Sequence, residues 1–213
     1  MEQWYIYKKK ADFAGIGEKY QIDPVIARLI RNRDVISDEE IHSYLYGTMK
    51  DVSDPLLLKG AKETAEILEK KIREEKKIRI ISDYDVDGVM SNYILWKALT
   101  DLGGIVDFTI PNRMKDGYGI NQSLVSRAVK DGIDTIITCD NGISAGEAVK
   151  YGREQGLTMI VTDHHEIPFE ELPDGTRREI LPEAHVVVDP KQKECHYPYP
   201  LLCGAGVAFQ LMR

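Results

Sequence analysis

From about residue 56 onward, short apolar runs of strand length alternate with segments of helical periodicity. Strands are predicted at 78–82, 104–110, 134–139, 157–162 and 185–188. Helices are predicted at 59–76, 89–102, 121–130, 144–154 and 204–213, and a long loop follows the fourth strand. Apolar strands that alternate with helices are buried on both faces. The pattern therefore predicts an α/β fold: a parallel sheet of about five strands with helices on both faces.

Residues 1–55 differ from the rest because they carry only short helical signals. Apolar residues recur at helical spacing over 24–30, and Ser37 with Glu40 has the form of a capping box. We therefore expect a small helical appendage at 1–55 and one α/β domain at 56–213. The chain stops within a helical pattern at 209–213, from which we expect a fragment of a longer protein.

Composition favours a cytoplasmic protein with no membrane contact. No apolar run approaches the roughly 20 residues of a membrane span, and the first residues lack the apolar core of a signal peptide. The three cysteines lie far apart, so neither disulfides nor a cysteine zinc site is expected. The net charge of −7 argues against a nucleic-acid partner unless bound cations offset a local acidic cluster. Composition alone leaves the partner open.

The first predicted strand runs into three aspartates at alternate positions, Asp83, Asp85 and Asp87. In an extended segment such side chains point to one side, so we expect them to lie together. Their mutual repulsion is removed by bound cations, and carboxylate oxygens suit Mg²⁺ or Mn²⁺. The alternative is a polar turn with a solvated acidic edge. We predict a metal site at this strand end.

Two further strand ends carry groups of the same kind. The third predicted strand is followed by Asp140, and the fourth by Asp163, His164 and His165. Because the carboxyl ends of parallel strands share one edge of the sheet, we expect these groups in one pocket. Asp140 is alternatively a helix cap, but Ser144 is expected to cap that helix and leave Asp140 free. The adjacent histidines are predicted to be a ligand and a phosphate-contacting or acid group.

Three other features are candidates for substrate binding, each with a structural alternative. The fork of Arg113 suits a phosphate, although a surface salt bridge is the alternative. Gly117 and Tyr118 offer a backbone amide and an aromatic face to a base, or form a plain turn. Gly204 and Gly206 open the last helix, where they bind phosphate or allow close packing.

Three segments together resemble the first motifs of the DHH phosphoesterase family: 83–88 (DYDVDG), 140–142 (DNG) and 163–165 (DHH). The resemblance is greatest to the family's single-strand-specific 5′→3′ DNA exonucleases, whose pattern continues at 112–119, 188–191 and 202–209. It implies a phosphodiester hydrolase with two Mn²⁺ or Mg²⁺ ions, acting on single-stranded DNA in repair and recombination. It also implies a monomer that works with a single-strand binding protein or a helicase.

The resemblance assigns roles by motif position. Asp85 and Asp87 are divided between the two metals, Asp140 bridges them, and His164 is a further ligand. Asp83 is an auxiliary ligand.

In the same scheme His165 touches the scissile phosphate or assists the leaving group, and Asp163 orients the histidines. The family has a further metal-binding aspartate and a second domain downstream, and Asp189 lies in a separate segment that does not supply that ligand. We therefore expect an incomplete metal shell and little activity from this chain alone.

Two other functions stay open. One is a DHH phosphodiesterase for short oligonucleotides or cyclic dinucleotides. The other is a non-catalytic scaffold that binds DNA or replication proteins. The segment around Gly204 and the N-terminal appendage favour the exonuclease, and the intact motif acids argue against the scaffold.

Overall fold

The computed structural model describes Gln3 and residues 9–213. Its backbone contacts divide the chain into two compact units, Met1–Ser53 and Asp54–Arg213, and each is described here by itself. That the first unit serves as an appendage to the second stays a prediction.

Within residues 9–53 the structure has three helices: α1 (Phe13–Tyr20), α2 (Pro24–Asn32) and α3 (Asp38–Tyr46). The second and third were predicted, and α3 begins with the expected reciprocal capping bonds between Ser37 and Glu40. Helix α1 was not predicted, because its two glycines lower the helical propensity. A hydrogen bond from the amide of Gly15 to the carboxylate of Asp12 caps it, and Tyr20 anchors it in the small core.

Residues 54–213, all of which the structure describes, form the α/β unit. The strands of its main sheet are β1 (Lys77–Ser82), β2 (Ile105–Thr109), β3 (Thr135–Cys139), β4 (Thr158–Thr162) and β7 (Val186–Val188), and two short strands between β4 and β7, β5 (Phe169–Glu171) and β6 (Arg177–Glu179), lie outside this sheet. The five pair in parallel in the order β2-β1-β3-β4-β7. The helices are α4 (Ala61–Arg73), α5 (Val86–Asp101), α6 (Gln122–Lys130), α7 (Gly146–Glu154) and α8 (Gly204–Met212). The predicted fold class is confirmed.

The helices cover both faces of this sheet. Helices α4, α5 and α8 pack on one face with Ile80 and Ile137, and α6 and α7 pack on the other with Ile81 and Ile136. Side chains of neighbouring strand residues thus pack into the cores on opposite faces of the sheet, because successive side chains of a strand point to opposite faces. Each fully buried isoleucine contributes roughly 1.5–3 kcal/mol, so the continuous apolar runs stabilise the centre of the sheet.

The structure corrects several local predictions. The long loop after β4 contains a hairpin of β5 (Phe169–Glu171) and β6 (Arg177–Glu179), whose exposed, charged strands lack an apolar pattern. Helix α7 begins at Gly146 after Ala145, and no side chain of the described residues caps it, so the predicted cap by Ser144 is wrong. No helix in the described residues is long and apolar enough to cross a membrane.

Candidate metal centre

Strands β1, β3 and β4 end side by side at one edge of the sheet. Ser82 pairs with Cys139, and Cys139 pairs with Thr162, at the last position of each strand. The next residues, Asp83, Asp140 and Asp163, therefore leave the sheet at the same level. The parallel register places the candidate site residues at a common edge.

Carboxylate oxygens of Asp83, Asp85 and Asp140 all lie within 4.8 Å of one another. The expected reason, alternation along an extended strand, is wrong, because β1 ends at Ser82 and Asp85 already caps α5 by accepting the amide of Gly88. The acids converge because the chain turns directly from strand to helix. One oxygen of the buried Asp83 has no hydrogen-bond partner among the described residues.

Asp87, in the first turn of α5, faces the start of α8. Its Oδ2 accepts the amide of Gly204 at 2.7 Å, and its Oδ1 accepts the amide of Ala205 at 2.8 Å. A carboxylate at a helix N-terminus is stabilised by the helix dipole. The amides at the start of α8, predicted to bind a substrate phosphate, thus donate to Asp87. The amide of Gly206 donates to the sulfur of Cys203. Substrate binding by Gly204 and Gly206 stays a prediction.

Asp140 stands between these groups in an uncommon backbone conformation, with a φ of 60°. Its Oδ1 lies 3.0 Å from Nε2 of His164, and Oδ2 of Asp87 lies 3.4 Å from the same nitrogen. Burial raises the pKa of Asp140 to about 8, and the carboxylates of Asp87 and Asp85 act in the same direction. Without a cation the carboxyl is therefore mostly protonated at neutral pH.

The donors fit a hard divalent cation. Oδ1 of Asp140 has no partner with hydrogen-bond geometry among the described residues, although it is buried beside other carboxylates. Such an oxygen is costly unless a proton or a metal ion satisfies it. One set of ligand atoms within 4.8 Å joins Asp83, Asp85 and Asp140, and another joins Asp140, His164 and His165. Oxygen with imidazole nitrogen suits Mn²⁺, and the oxygen-rich set suits Mg²⁺.

Asp163 orients the two histidines. Its Oδ1 accepts Nδ1 of His165 at 2.7 Å and the amide of His164 at 2.7 Å, and its Oδ2 accepts the amide of Ile143 at 2.9 Å. Burial alone would raise the pKa of Asp163, but these hydrogen bonds outweigh it, so the pKa lies below its ordinary value. The carboxylate is thus a fixed, charged acceptor.

The pKa values of the two imidazoles are shifted in opposite directions. Burial lowers the pKa of His164, and the neighbouring ring of His165 acts in the same direction. The hydrogen bond to Asp163 raises the pKa of His165, which outweighs its partial burial. His164 therefore favours the neutral form that ligates metals, whereas His165 is suited to carry a proton.

Tyr118 closes one side of the site. Its hydroxyl donates to the backbone oxygen of Asp140 at 3.2 Å, and its ring lies edge-on to His165 with centroids 6.2 Å apart. The ring also meets Tyr84 at 6.3 Å, and the guanidinium of Arg113 lies 5.6 Å from the centre of the Tyr84 ring. Arg113 is exposed on this aromatic row. Gly117 occupies a turn with a φ of 79°, and its substrate role stays a prediction.

Two buried residues at the site were not predicted. The side chain of Asn141 accepts the amide of Ile120 and donates to the backbone oxygens of Ile81 and Cys139, so it ties the loop to the sheet. Asp189 follows β7, and burial raises its pKa to about 7. Asp140 was predicted as a site residue because it directly follows a parallel strand. Asp189 also directly follows a parallel strand, so the same criterion could have identified it.

A cavity of about 510 Å³ adjoins the imidazole side of the site. Tyr118, His165 and Asp163 line one part, and the segments 119–120 and 141–145 line the rest. Its volume lies within the usual range of small-ligand pockets. The cavity gives a substrate group direct access to His165.

Residues 77–213 match the DHH family, N-terminal domain. The chain belongs to the DHH family. The match includes every candidate metal ligand described above, and the predicted family is confirmed.

Curated relatives of this DHH chain are named single-stranded-DNA-specific exonuclease RecJ. The protein of Bacillus subtilis is 38% identical over 210 residues, which cover 98% of this chain and 25% of the relative. The protein of Escherichia coli is 35% identical over 193 residues, which cover 90% of this chain and 31% of the relative. The chain thus spans about a quarter to a third of the length of these relatives.

Two similar solved structures are exonuclease RecJ bound to manganese and the RecJ of Thermus thermophilus in complex with Mn²⁺. The first has a TM-score of 0.61 at 35% identity and covers 73% of this chain and 37% of the other. The second has a TM-score of 0.60 at 28% identity and covers 94% of this chain and 26% of the other. The resemblance to single-strand exonucleases is confirmed in both sequence and fold.

Proposed function

We propose that the whole protein is a Mn²⁺- or Mg²⁺-dependent 5′→3′ exonuclease for single-stranded DNA, and that this chain supplies metal ligands and a proton-carrying histidine. The observation that carries the proposal is the meeting of Asp83, Asp85, Asp140 and His164 at one edge of the sheet. Similarity to RecJ proteins, including two solved with manganese, supports the substrate and the metal.

The metal ligands fall into two groups that share Asp140. Ligand oxygens of Asp83 and Asp85 lie within 4.8 Å of one of its oxygens. The Nε2 atom of His164 lies 3.0 Å from Asp140 and 3.4 Å from Asp87. Two divalent cations bound there would activate a water molecule and stabilise the leaving oxygen of a phosphodiester. Asp87 is pre-positioned by the amides of α8, so it is available as a ligand without rearrangement.

His165 is the group we assign to the scissile phosphate or the leaving oxygen. The bond from its Nδ1 to Asp163 leaves Nε2 directed toward Tyr118, with 3.5 Å between that nitrogen and the hydroxyl. Its raised pKa favours a proton that it can donate as the bond to the leaving group breaks. Tyr118 and Arg113 are assigned to the base and phosphate of the strand.

Finer parts of the proposal depend on the relatives and on composition. We propose a cytoplasmic monomer that acts in repair and recombination, with a single-strand binding protein or a helicase as partner.

Strand polarity and substrate length test the proposal directly. With Mn²⁺, the whole protein should release labelled mononucleotide at once from a 5′-labelled single strand and late from a 3′-labelled one. Duplex DNA should persist, and chelation of the metal should stop the reaction. Faster hydrolysis of dinucleotides than of long strands would contradict the exonuclease and support the phosphodiesterase.

A further inference from the structure

A second polar cavity lies beside the metal centre, between the β5–β6 hairpin and the segment after β7. Its volume is about 290 Å³, and we call it the basic cleft. Three cationic side chains, two acidic ones and one aromatic ring line it: Arg177, Lys191, Lys193, Glu166, Glu179 and Phe169. Its lining has one more cationic side chain than acidic ones, although Arg177 also lies 3.6 Å from Glu171, whereas the neighbouring metal centre is rich in aspartates.

The basic cleft is continuous with the metal centre along the chain. Glu166 directly follows His165, and Lys191 lies two residues after the buried Asp189. The positive charge of Lys191 contributes to the pKa of both His164 and His165, after the larger effects of burial and of Asp163. The cleft therefore begins next to the histidine that we assign to the scissile phosphate.

The backbone of Lys191 is held by buried groups. Oδ1 of Asp189 accepts the amide of Lys191 at 2.8 Å, and the side chain of Gln192 donates to the backbone oxygens of Val187 and Asp189. Asp189 and Gln192 are 0% and 4% exposed. These buried hydrogen bonds fix the backbone position of Lys191. A lysine that serves only solubility does not require a fixed backbone position.

The ammonium of Lys191 has a partner that a phosphate can replace. It lies 2.8 Å from Oε1 of Glu166, and the side chain of Glu166 is 89% exposed. An ion pair with so exposed a carboxylate is weak. A phosphodiester beside the histidines presents a competing anion with several acceptor oxygens.

The aromatic wall of the cleft suits a base. Phe169 is 46% exposed, and the guanidinium of Arg177 lies 4.2 Å from the centre of its ring. Aromatic rings and arginine planes beside a basic groove are the usual elements of single-strand binding, because every base has a face to stack.

We propose that the basic cleft binds a nucleotide of the single strand adjacent to the one at the metal centre. Lys191 and Lys193 hold its phosphate, and its base stacks against the pair formed by Phe169 and Arg177. Glu166 pairs with Lys191 until the strand arrives. This site rests on the proposed function, because it takes the same strand.

Binding of short and long strands to this chain tests the cleft. The probes are labelled thymidine oligonucleotides of two and about eight residues, the longer within the range of single-strand sites. Fluorescence anisotropy in Ca²⁺ is measured at several salt concentrations. The double substitution Lys191→Gln and Lys193→Gln should weaken the longer probe about tenfold and reduce its salt slope by about 1.4, the value for two phosphate contacts. The dinucleotide should bind as before.

Controls of equal charge separate the cleft from a general effect. Lys62→Gln with Lys130→Gln removes two charges from α4 and α6 and should leave both probes unchanged. Glu166→Gln should tighten the longer probe several-fold, a gain that misfolding cannot produce. Unchanged binding after the double substitution in the cleft, or weaker binding after Glu166→Gln, would overturn the site alone. No binding of either probe by the unsubstituted chain would overturn the proposed function together with it.

Discussion

Oδ1 of Asp140 lies 3.0 Å from Nε2 of His164, although the two residues follow different strands. Asp140 follows β3 and His164 follows β4, so the parallel pairing of these strands creates the contact. Despite this short distance, the buried oxygen has no partner with hydrogen-bond geometry among the described residues. A cation between the two groups would satisfy both, and the first prediction depends on this geometry.

Asp140→Asn should lower the affinity of this chain for Mn²⁺ by about 100-fold or more. Removal of a residue that only supports a metal ligand usually lowers metal affinity by about 10- to 100-fold, and removal of the ligand itself should lower it further. Isothermal titration calorimetry measures the affinity. Asp101→Asn is the matched control, since Asp101 is an exposed residue at the far end of α5 that pairs with Lys97. Equal affinities for the Asp140 variant and the unsubstituted chain would remove the metal assignment.

The metal-free chain should lose stability as the pH rises through neutrality. Asp140 has an ordinary pKa of 3.8 when unfolded and about 8 when folded, so the folded state holds an extra proton between these values. The free energy of unfolding should therefore fall as pH rises toward 8, on the order of 1 kcal/mol per pH unit. Asp189 acts in the same direction up to about 7.

Urea unfolding in a chelating buffer at pH 5 to 8 measures this slope. In Asp140→Asn the slope should be much shallower, because the titrating group is absent. His164 and His185 have lowered pKa values and act in the opposite direction, whereas His165 has a raised pKa and acts in the same direction as Asp140. The contribution of His185 cancels in the difference between the two slopes, which therefore reports Asp140 together with the effect of its charge on the adjacent histidines. Parallel curves for the two proteins would contradict the raised pKa.

Gly204→Ala should damage the site, whereas Gly206→Ala should not. A Cβ on Gly204 would lie 2.8 Å from Cβ of Asp140, and on Gly206 its nearest neighbour would be a terminal carbon of Leu202 at 3.2 Å. Overpacking at Gly204 should cost about 1–3 kcal/mol of unfolding free energy and reduce Mn²⁺ affinity. Gly206→Ala should be near neutral, because alanine favours the helix by up to about 1 kcal/mol. Similar losses in both variants would refute the role of close packing.

Asp163→Asn should lower the pKa of His165 toward its ordinary range, because the charged acceptor at Nδ1 is lost. NMR titration of the histidine ring protons measures it, and His185 in the same spectra serves as the control. The variant should also lose about 1–3 kcal/mol of stability, since an amide cannot accept all the hydrogen bonds that Asp163 receives. An unmoved His165 titration would exclude Asp163 as its orienting group.

The sheet could be predicted because strands buried on both faces leave continuous apolar runs, as at 78–82 and 135–139. The positions of Asp140 and Asp163 followed from one rule about parallel strand ends. The β5–β6 hairpin could not be predicted, because its short strands are charged and exposed. The burial of Asp189 could not be predicted from the sequence either, because an aspartate after a strand has the same sequence pattern whether it is buried or solvated.

The carboxyl edge of the sheet carries the site, and most strands are entered from a helix at its opposite edge. The turns from α4 to β1, from α6 to β3 and from α7 to β4 all lie at that opposite edge. Insertions, labels or fused domains placed in those turns are separated from the ligands by the whole height of the sheet. The fold thereby offers attachment points for immobilisation or fluorescent tagging that leave cation coordination undisturbed.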